Sequence, residues 1–559
     1  MSAGAPMNAG APMNAEADTP VVIAGGSLVG LATALFLGRH GVPSMVVERN
    51  EGLSPHPRAR GVNARAMELF RWAGIEDELR AMPSAKALAG NSGIIAAESL
   101  AGRELGALKE GYHRDTGADD DDAGWLGATG WCLCHQHEVE PLLREHAARH
   151  GADLRFGTEL TGFDQDADGV TVRLRDPAGA ERSVRAGYLV GADGAGSLVR
   201  RLLGIGMDGP GALAHFLNVQ FKADLTGPLR GRRFVMCYTI SGSSRSGLLP
   251  VNNADEWLLH VPYEPDRAAE FTPEHCADLV RTAAGVDGLD VEVESVASWE
   301  SAGRVARSFA AGRVLLAGDA AHVMPPTGAY GSNTGVQEAH NLAWKLAAVL
   351  RGQAGPGLLD TYEQERRPVA EATVEQAVLR SKDRPRIAGG PSPAPDPRIQ
   401  PDPVVTFGQV YRSAAVEPDG AVGDPLWEPE PTGRPGTRAP HVIVKRDGRL
   451  ASTLDLYGDG FVLLAGPDGA ACADAVRRAA DRSGVAVETA VIGRDVHRVA
   501  VDLCGAHGLT AAGAVLVRPD GFVAWRSAGP PAEGDGVDGL FERLLCRSAP
   551  AAVADRVAG

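Results

Sequence analysis

The segment from Val314 to Leu346 holds the residues of this chain that are best suited to chemistry. An apolar run ends in Gly318-Asp319, so a carboxylate lies at the tip of a predicted strand. A loop rich in glycine and proline follows, and apolar residues at helical spacing come after it. Glycines let a backbone approach a ligand closely, and a helix amino terminus offers unpaired N–H groups. The segment predicts a ligand-binding corner, although an ordinary strand–loop–helix corner of an α/β sheet has the same pattern.

A second glycine-rich turn, near the amino terminus, favours a cofactor. Residues 21–24 form a buried strand, Gly25 to Gly30 a tight turn, and a helix to His40 precedes a strand that ends at Glu48. This is the βαβ unit of dinucleotide-binding proteins, in which Gly25 makes the turn and Gly30 lets helix and strand pack closely. The pyrophosphate is expected at the helix amino terminus.

Two residues of this unit narrow the choice of cofactor. Glu48 lies where a carboxylate accepts a hydrogen bond from a ribose 2′-hydroxyl, and a carboxylate disfavours a 2′-phosphate. The adenosine bound here therefore belongs to FAD or NAD rather than NADP. Ser27 stands where the middle glycine is usual. Because serine is a small change, we expect the close approach of the backbone to survive.

Charged residues beyond the βαβ unit extend the candidate site. The guanidinium groups of Arg58, Arg60 and Arg65 could hold the pyrophosphate, with a solvated basic loop as the alternative for each. Asp193-Gly194 follows a predicted strand and precedes a predicted helix. An Asp-Gly pair is by itself a common turn, so its weight comes from its position between the other two motifs.

Composition limits the classes of function. The chain has 559 residues and a net charge of −16, which argues against nucleic-acid binding. We find no apolar run long enough to cross a membrane and no signal peptide, so we expect a cytoplasmic protein with reduced thiols. Cys132 and Cys134 lie near His135 and His137, but no second ligand cluster of suitable spacing occurs. No metal site is therefore predicted.

The remaining segments differ in composition. Residues 1–18 repeat the hexapeptide AGAPMN and are expected to be a disordered tail. The block 205–303 has predicted strands but no glycine-rich phosphate loop, and it interrupts the cofactor-contacting segments, so we expect it to bind the substrate. Residues 386–437 are dense in proline and glycine and form a predicted linker.

Three motifs, in this order along the chain, resemble those of the FAD-dependent aromatic hydroxylases, the flavoprotein monooxygenases built like p-hydroxybenzoate hydroxylase. They are GGSLVG with Glu48, LVGADGAGSLVR around Asp193, and LAGDAAHVMPPTGAYGSNTG. The resemblance covers residues 19–385. It is greatest to the bacterial polyketide hydroxylases that act on anthracyclines, angucyclines and tetracenomycins.

The resemblance implies an α/β fold of three domains. A Rossmann-like FAD-binding domain would comprise residues 19–204 and 304–385, with a mixed β-sheet substrate domain inserted at 205–303. Residues 438–547 resemble the thioredoxin-like C-terminal domain of the larger family members, here without a CxxC motif and so without the redox pair.

The resemblance also implies which residues hold FAD. The Asp319 carboxylate would bind the ribityl chain, the backbone of Ser332 and Asn333 would reach the pyrimidine edge, and Asp193 would contact both FAD and NADPH. No catalytic side chain is implied. The predicted cofactor-binding residues are Gly25, Ser27, Gly30, Glu48, Arg49, Arg58, Gln136, Leu160, Asp193, Asp319, Pro326, Gly331, Ser332 and Asn333.

Four residues at three sites depart from the family pattern without removing a predicted ligand. Ser27 replaces Gly, Ala329-Tyr330 replaces Gly-Leu, and Glu338 replaces Asp. We expect a helix that starts after Gly335 to point its positive end at the N1/C2=O region of the reduced flavin.

The function implied by the resemblance is an NAD(P)H-consuming monooxygenase that hydroxylates a large aromatic, polyketide-like substrate through a C4a-hydroperoxyflavin. Its cofactors would be FAD, NADPH or NADH, and O2. A dedicated base is not required, because polyketide phenols are themselves acidic. The chain has no second GxGxxG, so NAD(P)H must bind transiently, which weighs against the two-dinucleotide disulfide reductases.

Alternatives remain open within and outside this class. The same motifs fit a Baeyer–Villiger or antibiotic-inactivating oxygenation, and a flavin redox sensor is possible from a different class. In the hydroxylase interpretation, Phe216, Met236 and Trp257 are candidates for substrate contact. We expect a small aromatic molecule as the partner, no nucleic acid or membrane, and a monomer or homodimer.

Overall fold

A computed structural model of the chain describes residues 18–108, 127–242, 244–383, 396–418, 426–530 and 537–547. Apart from Asp18, the tail predicted at residues 1–18 lies outside these ranges. None of the described helices is both long and apolar enough to cross a membrane.

Twenty-five strands are described, and they form three larger sheets and two small ones. They are β1 (Thr19–Ala24), β2 (Ser44–Glu48), β3 (Gly61–Val62), β4 (Ile94–Ala97), β5 (Glu104–Leu108), β6 (Cys132–Leu133), β7 (Ala152–Phe156), β8 (Glu159–Gln165), β9 (Val170–Arg175), β10 (Glu181–Gly191), β11 (Met207–Lys222), β12 (Met236–Ser241), β13 (Ser244–Pro250), β14 (Glu256–Pro262), β15 (Glu292–Ala306), β16 (Ala310–Ala311), β17 (Val314–Leu316), β18 (His322–Val323), β19 (Ile443–Arg446), β20 (Arg449–Ser452), β21 (Phe461–Ala465), β22 (Val487–Val491), β23 (His497–Arg498), β24 (Ala514–Val517) and β25 (Val523–Ser527).

Fourteen α-helices are described among the same residues. They are α1 (Leu28–Arg39), α2 (Ala64–Trp72), α3 (Glu76–Arg80), α4 (Pro83–Leu88), α5 (Gln136–Arg149), α6 (Leu198–Leu202), α7 (Thr226–Leu229), α8 (Pro273–Ala284), α9 (Tyr330–Leu350), α10 (Asp360–Asp383), α11 (Asp402–Phe407), α12 (Ala470–Arg482), α13 (Leu503–Ala506) and α14 (Leu540–Leu544).

The first large sheet has a parallel centre. Its strands follow the order β16-β17-β10-β1-β2-β7, and β9 and β8 continue from β10. The pairs β17–β10, β10–β1, β1–β2 and β2–β7 are all parallel. Strands buried on both faces are continuous apolar runs, and Val21, Val22 and Ile23 are accordingly fully buried. This sheet is the Rossmann-like core that the sequence predicts.

The second large sheet is mixed and has the order β18-β15-β11-β14-β13-β12-β4-β5. The predicted substrate block 205–303 supplies β11 to β15. The sheet also takes β4 and β5 from before that block and β18 from after it, so its strands extend beyond the predicted boundaries. One face packs on α8, with Phe221, Leu259 and Val280 in the shared core.

The C-terminal part has the outline of the predicted thioredoxin-like domain. A parallel β21–α12–β22 unit is followed by the antiparallel pair β24–β25, and the four strands have the order β22-β21-β24-β25. The turn between β24 and β25 contains Pro519-Asp520-Gly521, with Gly521 at φ +80°. A three-stranded sheet, β20-β19-β23, lies beside it.

A buried carboxylate joins this C-terminal part to the FAD-binding part. Glu365 of α10 accepts hydrogen bonds from Arg518 Nη1 (2.6 Å) and Nη2 (2.9 Å), and from Lys345 Nζ of α9 (2.7 Å). Asn341 and Ser413 donate to the same carboxylate. Burial alone would raise the pKa of Glu365, but Arg518 and Lys345 lower it well below its usual range. Five donor atoms from three parts of the chain therefore depend on one side chain.

Replacing Arg518 tests how much this junction stabilises the fold. Arg518→Ala removes a buried cation and leaves Glu365 undercompensated, so we expect the free energy of unfolding to fall by about 3–5 kcal/mol. Guanidinium-induced unfolding followed by circular dichroism measures it. Arg494→Ala is the control, because Arg494 pairs with Asp495 at the surface, and it should cost less than about 1 kcal/mol. Equally small losses would contradict this account.

Candidate functional site

The three motifs of the sequence meet at one edge of the first sheet. Because β2, β1, β10 and β17 are parallel, their carboxyl ends carry Glu48, Gly25, Asp193 and Asp319 to the same side. Backbone hydrogen bonds fix this alignment beyond the last strand residues: the Ala192 N–H donates to the Ala24 carbonyl at 2.8 Å. Segments from distant parts of the chain are thus brought together by strand register alone.

The glycines of the first turn have the roles that the sequence predicts. Gly25 has φ +107°, and a Cβ there would lie 2.3 Å from the Ala192 carbonyl oxygen. A Cβ on Gly30 would lie 1.9 Å from the Gly25 carbonyl oxygen. Only glycine fits at either position, because the turn, the β10 strand end and α1 are in direct backbone contact.

Glu48 closes over the glycine turn from the end of β2. Its Oε2 accepts the Gly26 N–H at 2.9 Å, and its Oε1 accepts the Asn50 N–H at 2.9 Å. Arg49 is exposed beside it. The β8 strand, which carries Leu160, begins close by, since the Thr158 N–H donates to the Glu48 carbonyl at 2.9 Å. The Leu160 side chain itself is buried in the core.

Glu140 is a site residue that the sequence analysis missed. It is 2% exposed and lies on α5, one turn after Gln136. Its Oε1 accepts hydrogen bonds from the Leu28 N–H (3.0 Å), from Gln136 Nε2 (2.7 Å) and from the hydroxyl of Ser27. The Glu140 carboxylate thus accepts a hydrogen bond from one N–H group at the α1 amino terminus. It also accepts one from the Ser27 hydroxyl, a contact that a glycine at this position could not make. No local signal in the sequence identifies Glu140, because Ser27 and Leu28 meet it only in the folded protein.

The helix after the Gly/Pro loop begins earlier than predicted. α9 starts at Tyr330, not after Gly335, so Gly331, Ser332 and Asn333 lie in its first turn. Ala329, in the left-handed region at φ +53°, precedes it and provides no side-chain cap. The predicted positive helix end is therefore more than one and a half turns closer to the loop.

A cavity brings three predicted residues together. Gln136 of α5 and Ser332 and Asn333 of α9 line it, with Leu28 of α1 and Arg60. The Asn333 side chain is occupied within the protein, where it donates to the Gly61 carbonyl at 2.8 Å. Its backbone, rather than its amide group, is therefore the part that could meet a cofactor, as the resemblance implies.

Asp319 lies just beyond the end of β17. Its side chain is open to solvent, yet surrounding protein raises the pKa of the carboxyl above its usual range. Glu338 raises this pKa further, while the charges of His322 and Arg58 lower it. Arg58 is exposed, and its charge is near enough to affect the pKa of Asp319. Pro326 is also exposed and lies in the loop before α9.

Three other charged residues make contacts within the protein. Asp193 accepts hydrogen bonds from the Ser197 hydroxyl (2.5 Å) and from the Val199 N–H (3.0 Å), and so caps α6. The suggestion that Arg65 holds a pyrophosphate is wrong. Arg65 is buried and donates to Glu68 Oε2 and to the Asp520 carbonyl, both at 3.0 Å, in the contact with the C-terminal part. Arg60 donates to the Pro250 carbonyl of the second sheet at 3.2 Å.

The second sheet turns one face towards this site. Asn218 Nδ2 donates to the Pro57 carbonyl at 3.4 Å, and the Ser295 hydroxyl lies 2.8 Å from His56 Nδ1. Phe216 shares this face, because it lies two residues from Asn218 on β11. Its ring stacks on Trp299 at a centroid distance of 4.8 Å.

The sheet register separates the three candidate substrate contacts. The cross-strand row Asn218–His260–Gly247–Tyr238 lies on the face towards the site, and Met236 shares that face with Tyr238. Trp257 points the other way and is fully buried in the core with α8. Its candidacy for substrate contact is therefore wrong.

Comparison with known proteins agrees with this geometry. The FAD binding domain family matches residues 18–377, and the family of aromatic-ring hydroxylase C-terminal domains matches residues 432–547. The chain belongs to the FAD-dependent aromatic hydroxylases. It is 46% identical to a putative polyketide hydroxylase of Streptomyces halstedii, over 92% of this chain and 94% of the relative. It is 42% identical to a 4-methyl-5-nitrocatechol 5-monooxygenase of a Burkholderia species, over 92% and 94% of the two chains.

A solved structure of the family has the same architecture. The crystal structure of aklavinone-11 hydroxylase in a ternary complex with FAD and aklavinone superposes with a TM-score of 0.87 at 40% identity. The superposition covers 95% of this chain and all of that one. This hydroxylase is therefore an FAD-dependent monooxygenase that uses O2 and a reduced nicotinamide.

The residues at the strand edge fit FAD. Gly25 and Gly30 leave the turn open to a pyrophosphate, and the amino termini of α1 and α9 supply N–H groups for anionic and carbonyl oxygens. Glu48 and Asp319 would supply carboxylates for ribose and ribityl hydroxyls. The Arg58 guanidinium is exposed near Asp319.

Replacing Asp319 tests its predicted contact with FAD. Asp319→Asn keeps the shape but loses the charge that strengthens a hydrogen bond to a ribityl hydroxyl. We expect FAD to bind about tenfold more weakly, which is within the range for one hydrogen bond to a charged group. Flavin fluorescence titration gives the dissociation constant. The exposed Asp164→Asn is the control and should leave affinity unchanged; unchanged affinity in Asp319→Asn would remove Asp319 from the site.

Proposed function

We propose that this hydroxylase inserts one oxygen atom from O2 into a large, flat aromatic substrate of the polyketide type, with NADPH or NADH as the electron donor. The observation that carries the proposal is the similarity, across 95% of the chain, to an enzyme solved with FAD and aklavinone bound. The relative of Streptomyces halstedii supports the same substrate class. A cytoplasmic location, where NAD(P)H is available, and a monomer or homodimer are part of the proposal.

The protein's contribution is to bind, orient and enclose. Bound FAD supplies the redox chemistry that activates O2. We infer that the α9 amino terminus stabilises negative charge that develops on the cofactor, since a helix amino terminus carries a partial positive charge. The apolar and aromatic face of the second sheet, with Phe216 and Met236, would hold a flat substrate and exclude water. Among the described residues, no group of His, Cys, Asp or Glu has the arrangement of a metal site.

A single-ring substrate is the second candidate. It is favoured by the relative that is named a 4-methyl-5-nitrocatechol 5-monooxygenase, which is as similar along its length as the polyketide hydroxylases. The two candidates differ in the size of the ring system that the face of the second sheet must cover.

A substrate panel separates the candidates. We expect polycyclic phenols such as aklavinone to stimulate NAD(P)H oxidation and to yield a product that carries one labelled atom from isotopic O2, measured by mass spectrometry. A response to 4-methyl-5-nitrocatechol alone would favour the second candidate. Flavin-loaded protein that responds to none of the aromatic compounds would contradict the proposal.

Variants on the two faces of the second sheet test where the substrate binds. Met236→Trp should misplace the substrate and lower the amount of product per NAD(P)H at least about threefold, with the balance released as H2O2 and FAD content unchanged. Trp257→Phe, on the opposite face, is the matched control and should leave this ratio unchanged. Loss of FAD from Met236→Trp with normal coupling would contradict the proposed substrate face.

A further inference from the structure

The turn that carries Asp319 packs closely against α1 and α9, because Gly318 in this turn has no side chain. Gly318 has φ +61°, and a Cβ on it would lie 2.9 Å from Val29 Cγ2 of α1. A Cβ on Gly335 of α9 would lie 3.1 Å from the Gly318 Cα. The position of the turn is therefore set by α1 and α9, and whatever fixes the turn on α9 also fixes Asp319.

Glu338 of α9 binds both ends of this turn. Its Oε2 accepts the Gly318 N–H at 2.8 Å, and its Oε1 lies 2.9 Å from His322 Nε2. Glu338 and His322 are both fully buried. Gly318 and His322 flank Asp319, so one carboxylate spans the segment that carries it.

The Glu338–His322 pair is isolated from water. Burial alone would lower the pKa of His322, but the carboxylates of Glu338 and Asp319 raise it above its usual range. The Arg366 cation of α10 also acts on this imidazole and opposes that effect. Among the described residues, His322 Nδ1 has no partner, so Nε2 is the nitrogen through which the ring is held. A buried carboxylate with a single imidazole and one N–H as donors loses much of its compensation if either is removed.

We propose that Glu338 and His322 are positioning residues for FAD, which act by holding the Gly318–His322 segment and thereby directing the Asp319 carboxylate at the cofactor. The inference rests on the contact between Asp319 and FAD proposed above. It also gives a reason for Glu338, which stands where the family resemblance predicts Asp: the carboxylate, not the side-chain length, is what the turn requires.

The test compares the dissociation constant of FAD between the wild-type holoenzyme and matched variants. Glu338→Gln keeps the size of the side chain but not its charge, and it should make FAD binding about tenfold weaker. Glu338→Asp restores a carboxylate and should bind FAD at least about threefold more tightly than Glu338→Gln. The control is Glu68→Gln, since the buried Glu68 carboxylate accepts the Ala128 N–H at 3.2 Å and Arg438 Nε at 3.1 Å in the contact with the C-terminal part. This control should lower the melting temperature without changing FAD affinity.

The outcomes separate this inference from the site itself. Weaker FAD binding in Asp319→Asn but not in Glu338→Gln would overturn the inference and leave Asp319 in the site. No weakening in either variant would remove Asp319 as well. If Glu338→Gln does not fold, His322→Gln takes its place, and wild-type FAD affinity in that variant would overturn the inference.

Discussion

The parallel register of β2, β1, β10 and β17 is the constraint on which the site depends. Each strand contributes one short segment at its carboxyl end, and none of these segments could form a cofactor site alone. Because the strands are hydrogen-bonded neighbours, a shift of β10 or β17 would separate Asp193 or Asp319 from the glycine turn. The close approach of Gly25 to the Ala192 backbone, and of Gly318 to the Val29 side chain of α1 and to Gly335 of α9, shows how closely the segments fit. The buried packing of this sheet therefore holds its strands in register and aligns the segments at their carboxyl ends.

The C-terminal part is joined to the FAD-binding part by buried contacts. Its β24–β25 turn carries Arg518 into a buried site on α9 and α10, and α9 is also one of the two helices that hold the Asp319 turn. Although this part lacks a redox CxxC motif, it completes the compensation of Glu365. We infer that the C-terminal part contributes to the rigidity of α9 and not to the chemistry.

Much of the site was predictable from the sequence because its signals are local. The glycines of the first turn, the strand that ends at Glu48 and the Gly318-Asp319 tip each follow from the types of adjacent residues. What the sequence did not reveal depends on tertiary contacts. α9 begins at Tyr330 despite the helix-breaking glycines at 331 and 335, because burial between α1, α2 and α10 outweighs their low propensity. Trp257 was assigned to the wrong role because both faces of β14 are buried, so alternation along the strand does not identify its outer face. Glu140 and Arg65 become recognisable only when their partners, Ser27 and Asp520, are brought to them by the fold.

The central claim is that FAD is held across the strand edge, with its ribityl chain at Asp319 and its adenosine at Glu48. A crystal structure of the flavin-loaded protein tests it most directly. The account predicts that the Asp319 carboxylate accepts a hydrogen bond from a ribityl hydroxyl, that Glu48 accepts from the adenosine ribose, and that the isoalloxazine lies at the first turn of α9. FAD bound away from this edge, or with Asp319 and Glu48 outside hydrogen-bonding distance of it, would contradict the account.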